Sequence, residues 1–155
     1  MAELALLDRA FHAIIQRFVH TGQAPHYTEL ATELGLSMED GRQLVYDLMA
    51  AGVPGWIHPG TDYIASFPPF NNQPTQYRIS VDGEQKWFAQ CGFEALAVRW
   101  LFPGKLVRVA APCLDCGEPV VVEMRDSEML SVEPKTIVGY AYSAIGGSAA
   151  DRPFR

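Results

Sequence analysis

The chain has 155 residues, 48% of them hydrophobic, and 12 Lys and Arg against 18 Asp and Glu give a formal net charge of -6. That length fits one compact domain or two half-size lobes sharing a core, and the acidic balance provides no general field for phosphate backbones or anionic membrane surfaces. No stretch approaches the roughly 20 uncharged apolar residues that a bilayer crossing needs, and the start MAELALLDRAFH has acids where a signal peptide needs a basic region. A cytoplasmic location is therefore expected. Three cysteines are an odd number, and two of them form a Cys-x-x-Cys, so thiol chemistry or metal binding suits them better than a secreted disulfide framework.

In chain order, Leu4, Leu7, Phe11, Ile14, Ile15 and Phe18 recur at three- and four-residue steps and predict an amphipathic helix over residues 3–20, ended by Thr21-Gly22. A second helix is expected to open at Thr28. A third opens at Ser37, with Asp40 three residues on in a capping-box-like position, and stops at Gly52 and Pro54. WIHPGTDYIAS then reads as two short strands around Pro59-Gly60. Three helices and a hairpin outline a winged helix. Its third helix holds Arg42 against Glu39, Asp40 and Asp47, which favours a scaffold lobe over a DNA-reading one.

FPPFNNQPTQ, residues 67–76, is expected to be a connection between a helical lobe at 1–66 and a second lobe at 77–155. There, TQYRISVDG predicts a strand with a turn at Asp82-Gly83, and a helix GFEALAVRWLF begins close to Cys91 and is broken by Pro103-Gly104. KLVRVAAP and EPVVVEMRD read as paired strands flanking CLDCG, with KTIVGYAYS as a further strand and GGSAADRPFR as a mobile tail. The expected fold class is α+β: a winged-helix-like three-helix lobe followed by a mixed antiparallel sheet lobe with one or two helices.

Cys91 and Glu94, three apart at a helix start, place a thiol and a carboxyl on the same face within about one turn. The positive end of the helix dipole favours a thiolate in the first turn, and the carboxyl can take or return its proton. The alternative is that Cys91 is one more small buried residue while Glu94 points to water. Cys113-Leu114-Asp115-Cys116-Gly117 reads as a knuckle whose two thiolates can chelate, or as a tight hairpin turn. A four-ligand zinc site lacks partners, because His12, His20, His26 and His58 all fall in the other half. A thioredoxin-type dithiol is opposed by the strand that follows the motif.

The segment from Tyr77 to Val122 resembles the core of the organomercurial (alkylmercury) lyases. The shared features are the aromatic pair Trp87-Phe88 before Cys91, a carboxylate three residues later, Phe102-Pro103 at the helix end, and a cysteine followed by Gly117-x-Pro119-Val120. The resemblance implies a helical winged-helix-like lobe in front, a catalytic thiolate at Cys91 and a proton-handling acid at Glu94, where the family has aspartate. Cys113 matches a cysteine that the family uses chiefly for structure, and the family's second catalytic cysteine has no counterpart between Gly117 and Arg155. Cys116, outside the usual pattern, is the candidate to replace it.

The expected activity is protonolytic cleavage of a carbon-mercury bond, with Cys91 and Glu94 as catalytic residues, no organic cofactor, and a thiol acceptor for the mercury released. The alternatives are a non-catalytic metal-binding or sensing protein, in which Cys91, Cys113 and Cys116 hold Hg, Cu(I) or Zn at a trigonal site, and a winged-helix transcriptional regulator. The partners implied are an organomercurial or soft-metal small molecule rather than nucleic acid or membrane.

Overall fold

The computed structural model describes residues 3–139. Helix α1 (Leu4–Thr21) buries Leu7, Ile14, Ile15 and Phe18 as its spacing predicts. Leu4 stays 73% exposed and Phe11 37% exposed, although the Phe11 ring still lies 5.3 Å from that of Phe67. Helix α2 (Tyr27–Leu34) starts one residue before the expected Thr28, because His26 is its cap and Glu29 completes a reciprocal capping box. Helix α3 (Met38–Ala50) opens as predicted, with the Asp40 N–H donating to Ser37 Oγ at 3.1 Å. An ion pair from Arg17 to Glu29 joins α1 to α2.

Strands β1 (Trp56–Ile57) and β2 (Ile64–Phe67) form the expected hairpin, and Arg42 of α3 is drawn onto it by Asp62 at 2.9 Å. Here the structure departs from the predicted connection. Residues 67–76 contain strand β3 (Phe70–Asn71), which pairs with β2 and through Asn71 with Phe88 of strand β5 (Glu84–Ala89). Phe70 is buried and stacks on Phe18 with ring centroids 5.1 Å apart, so an apolar side chain outweighs the prolines around it.

Strand β4 (Tyr77–Val81) turns into β5 at Asp82 and Gly83, both at positive φ as a two-residue hairpin turn requires. Helix α4 (Gly92–Ala97) follows, and where one longer helix was expected the chain tightens to a 3-10 turn at Val98–Leu101. Strands β6 (Val107–Pro112) and β7 (Pro119–Arg125) pair around CLDCG as predicted. The next strand, β8 (Glu128–Glu133), lies N-terminal to the predicted KTIVGYAYS. Residues 135–139 are not strand, and the rest of that segment and the tail lie outside the described residues.

The described residues thus make an α+β fold with one eight-stranded antiparallel sheet, ordered β1-β2-β3-β5-β4-β6-β7-β8. One buried cluster runs from α1 and α3 through Phe67, Phe70 and Trp87 to Val107 and Met124. None of the described helices is long and apolar enough to cross a membrane.

The end of α1 is fastened to β5. Gly22 caps the helix at φ 77°, and a Cβ built there would lie 2.5 Å from the Lys86 side chain and 2.6 Å from its carbonyl oxygen. Gly35, at φ 72° after α2, has nothing within 4 Å. Gly35→Ala is expected to cost about 1–2 kcal/mol for the left-handed backbone alone. Gly22→Ala is expected to cost more, because the Lys86 backbone must also move. Paired urea titrations measure both, and equal losses would refute the packing contact.

Candidate active site

Ala89 ends β5 opposite Tyr77, and the chain then turns so that Cys91, in an extended conformation at φ -138°, ψ 168°, becomes the N-cap of α4. Glu94 is three residues on. The Cys91 N–H donates to Glu94 Oε2 at 3.1 Å, and the Glu94 N–H donates to Cys91 Sγ at 3.5 Å. This is a capping box with sulfur in place of the usual hydroxyl oxygen. The structure therefore brings together the thiol and carboxyl that the spacing paired, and Glu94 is turned back onto the helix start rather than out to water.

Both groups are half-buried, and their electrostatics correct one expectation. Burial pushes the Cys91 thiol pKa up, opposed by the Glu94 N–H, while the Glu94 charge raises it further. Burial and the neighbouring carboxylate thus favour the thiol form where a thiolate was expected. Burial likewise raises the Glu94 pKa, against the main-chain N–H groups of Cys91 and Gln90. A carboxyl held above its ordinary range beside a thiol held above its own can keep a proton and pass it on.

The other two cysteines sit on the turn joining β6 to β7. The Cys113 N–H donates to the Glu118 carbonyl at 2.8 Å, the Gly117 N–H donates to the Cys113 carbonyl at 3.0 Å, and Gly117 turns the chain at φ 77°. Cys113 is half-buried and Cys116 exposed, and both are free thiols. The main-chain N–H groups of Cys116 and Asp115, together with the Cys116 thiol, surround the Cys113 sulfur and hold its pKa below the ordinary thiol range.

Registers Tyr77↔Ala89, Arg78↔Ala110 and Pro112↔Pro119 put Cys91 and the knuckle at the same end of the sheet with β4 between them. Two strand spacings amount to roughly 10 Å. The described residues contain no group of three or more Cys, His, Asp or Glu placed to hold a metal ion. The expected trigonal set of Cys91, Cys113 and Cys116 is thus separated into a Cys91-Glu94 pair and a Cys113-Cys116 pair by the intervening strand.

Sequence reasoning missed a shallow apolar recess lined by Phe93, Leu96, Ala97, Arg99, Trp100 and Met129. The Arg99 guanidinium lies over the Trp100 ring at 4.7 Å, and its Nη1 is 3.2 Å from Met124 Sδ and 3.4 Å from Met129 Sδ. Its Nε is buried with no hydrogen-bond partner among the described residues. The recess depends on β8 supplying Met129, and β8 itself was not predicted.

Alkylation with iodoacetamide across a pH series, resolved peptide by peptide, tests these electrostatics. A lowered pKa means more thiolate at a given pH, so Cys113 is expected to gain reactivity at lower pH than a free cysteine and Cys91 only at higher pH. The reverse order would show the assignments to be wrong.

A family model described as alkylmercury lyase matches residues 70–151, more than half of the chain. The alkylmercury lyases of Bacillus cereus and Clostridium butyricum are each 35% identical to it over 68 residues, and that of Staphylococcus epidermidis 37%. These matches cover 42% of this chain and 29% of each relative, so the matching segment spans less than a third of those proteins. The fold is similar to that of the mercury-bound form of MerB2, with a TM-score of 0.61 and 19% identity over 84% of this chain and 65% of that one. With the family model matched over the segment that holds Cys91, Glu94, Cys113 and Cys116, the chain belongs to the alkylmercury lyase family.

Proposed function

We propose that the protein cleaves carbon-mercury bonds by protonolysis at Cys91 and Glu94. The observation that carries this reading is the reciprocal contact between the two residues, which holds a soft sulfur and a half-buried carboxyl side by side at the start of α4. In the reaction, R-Hg⁺ replaces the thiol proton of Cys91, and the Glu94 carboxylate takes that proton. Glu94 then delivers it to the carbon bound to mercury. The electron pair of the C–Hg bond becomes the new C–H bond, the hydrocarbon leaves, and Hg(II) stays on sulfur. The raised Glu94 pKa supports its part as carrier.

A second reading is a lyase-derived metal-binding protein without turnover. It is favoured by the knuckle, which keeps two free thiols on one turn away from Cys91. Both readings share a soft-metal ligand and differ in whether Glu94 matters.

Hydrocarbon release from methylmercury or phenylmercury with excess small thiol separates them. Cys91→Ser is expected to abolish release, and Glu94→Gln to lower it by about 10²–10⁴-fold, the usual contribution of a positioned proton donor. Stoichiometric mercury binding by wild type without hydrocarbon release would overturn the enzyme reading and leave the second.

A further inference from the structure

The β6–β7 knuckle remains outside the proposed reaction. It has the features of a built turn: a strand-end hydrogen bond from Cys113 to Glu118, a closing bond from Gly117 back to Cys113, and Gly117 in the left-handed region. Its two free thiols stand two residues apart on this one tight turn, which the Cys113-to-Glu118 and Gly117-to-Cys113 hydrogen bonds close. Cys116 and the intervening Leu114 and Asp115 are exposed, so a ligand can reach the pair without opening the core. No described residue adds a third donor, which suits cations content with two soft ligands and excludes a four-ligand zinc site.

We propose that Cys113 and Cys116 form a separate two-sulfur site for a soft, thiophilic cation, and that this site accepts the Hg(II) released at Cys91. The first half of the proposal stands on the knuckle alone, whereas the second rests on the lyase reading above. In the transfer, a small thiol carries Hg(II) across the gap: the Cys91 S–Hg bond breaks as a bond to the carrier sulfur forms, and that bond breaks in turn as S–Hg bonds form at Cys113 and Cys116 and the carrier thiol is released. Of the two thiol protons displaced, one returns to Cys91 and the other goes to solvent, so no oxidant or reductant is involved. Both sites lie at one end of the sheet with a single strand between them, which leaves the carrier a gap of roughly 10 Å to cross.

The test is anaerobic titration of the reduced full chain with mercuric chloride against dithiothreitol, read by sulfur-to-mercury charge-transfer absorbance. Cys91→Ser is expected to retain one equivalent of Hg(II). Adding Cys113→Ser or Cys116→Ser to it is expected to weaken that binding by about 100-fold or more, because the second sulfur no longer contributes its local concentration. Cys116 is exposed on a turn, so Cys116→Ser keeps the test valid even if Cys113→Ser disturbs the hairpin, and circular dichroism checks both. A Cys91→Ser/Cys116→Ser chain that binds as tightly as Cys91→Ser overturns the proposal, as does a Cys91→Ser chain that binds nothing. Knuckle binding without hydrocarbon release in wild type sinks the lyase reading and leaves the site standing. Release with no knuckle binding does the opposite.

Discussion

The hydrogen bond from the Trp87 indole to the Phe18 carbonyl, 2.7 Å long and buried, is the fastening on which the arrangement depends. It spans 69 residues of sequence and ties the last turn of α1 to β5, the strand that leads into Cys91. Around it, Phe18 stacks on Phe70, Trp87 meets Phe102 edge-on at 4.9 Å, and Lys86 lies over the Trp87 ring at 5.2 Å. An indole N–H buried among these rings needs an acceptor, and the Phe18 carbonyl, which already accepts the Gly22 N–H at 2.8 Å, has a second lone pair for it. The contact therefore satisfies the indole without unpairing the helix cap, and it ties the end of α1 to the strand that leads to α4.

From that fastening the site follows by short steps. Ala89 is fully buried at the end of β5, so the chain leaves the core at Gln90 and Cys91 with little freedom. Cys91 then meets the unsatisfied N–H groups of the first turn of α4, and Ala95, also fully buried, holds that helix against the sheet. The partial burial that raises the pKa values of Cys91 and Glu94 is thus a consequence of how β5 hands over to α4. It is not a property of either residue type.

Much of this was legible locally. The Ser37-Asp40 cap, the Asp82-Gly83 turn, the paired strands around CLDCG and the neighbouring Cys91 and Glu94 all depend on residues a few positions apart, where sequence patterns speak directly. What the sequence concealed is non-local. Strand β3 is two residues long and sits among prolines, so only Phe70 meeting Phe18 reveals it. Strand β8 begins and ends with glutamate and is exposed over its first half, which leaves no alternation to read. The direction of the Cys91 pKa and the separation of the knuckle from Cys91 both depend on strand order, which no local spacing encodes.

The sulfur of Cys91 has one further consequence as a cap. The lone pairs that would bind a cation are directed at the Glu94 N–H, and the carboxyl that would move the proton accepts from the Cys91 N–H. Any cation captured there competes with the first turn of α4 for the same atoms. Losing a cap typically costs a helix about 1 kcal/mol, equivalent to roughly fivefold in affinity. Ligand capture and fraying of α4 are thereby coupled, and a metal leaving Cys91 is helped on its way by the helix closing behind it.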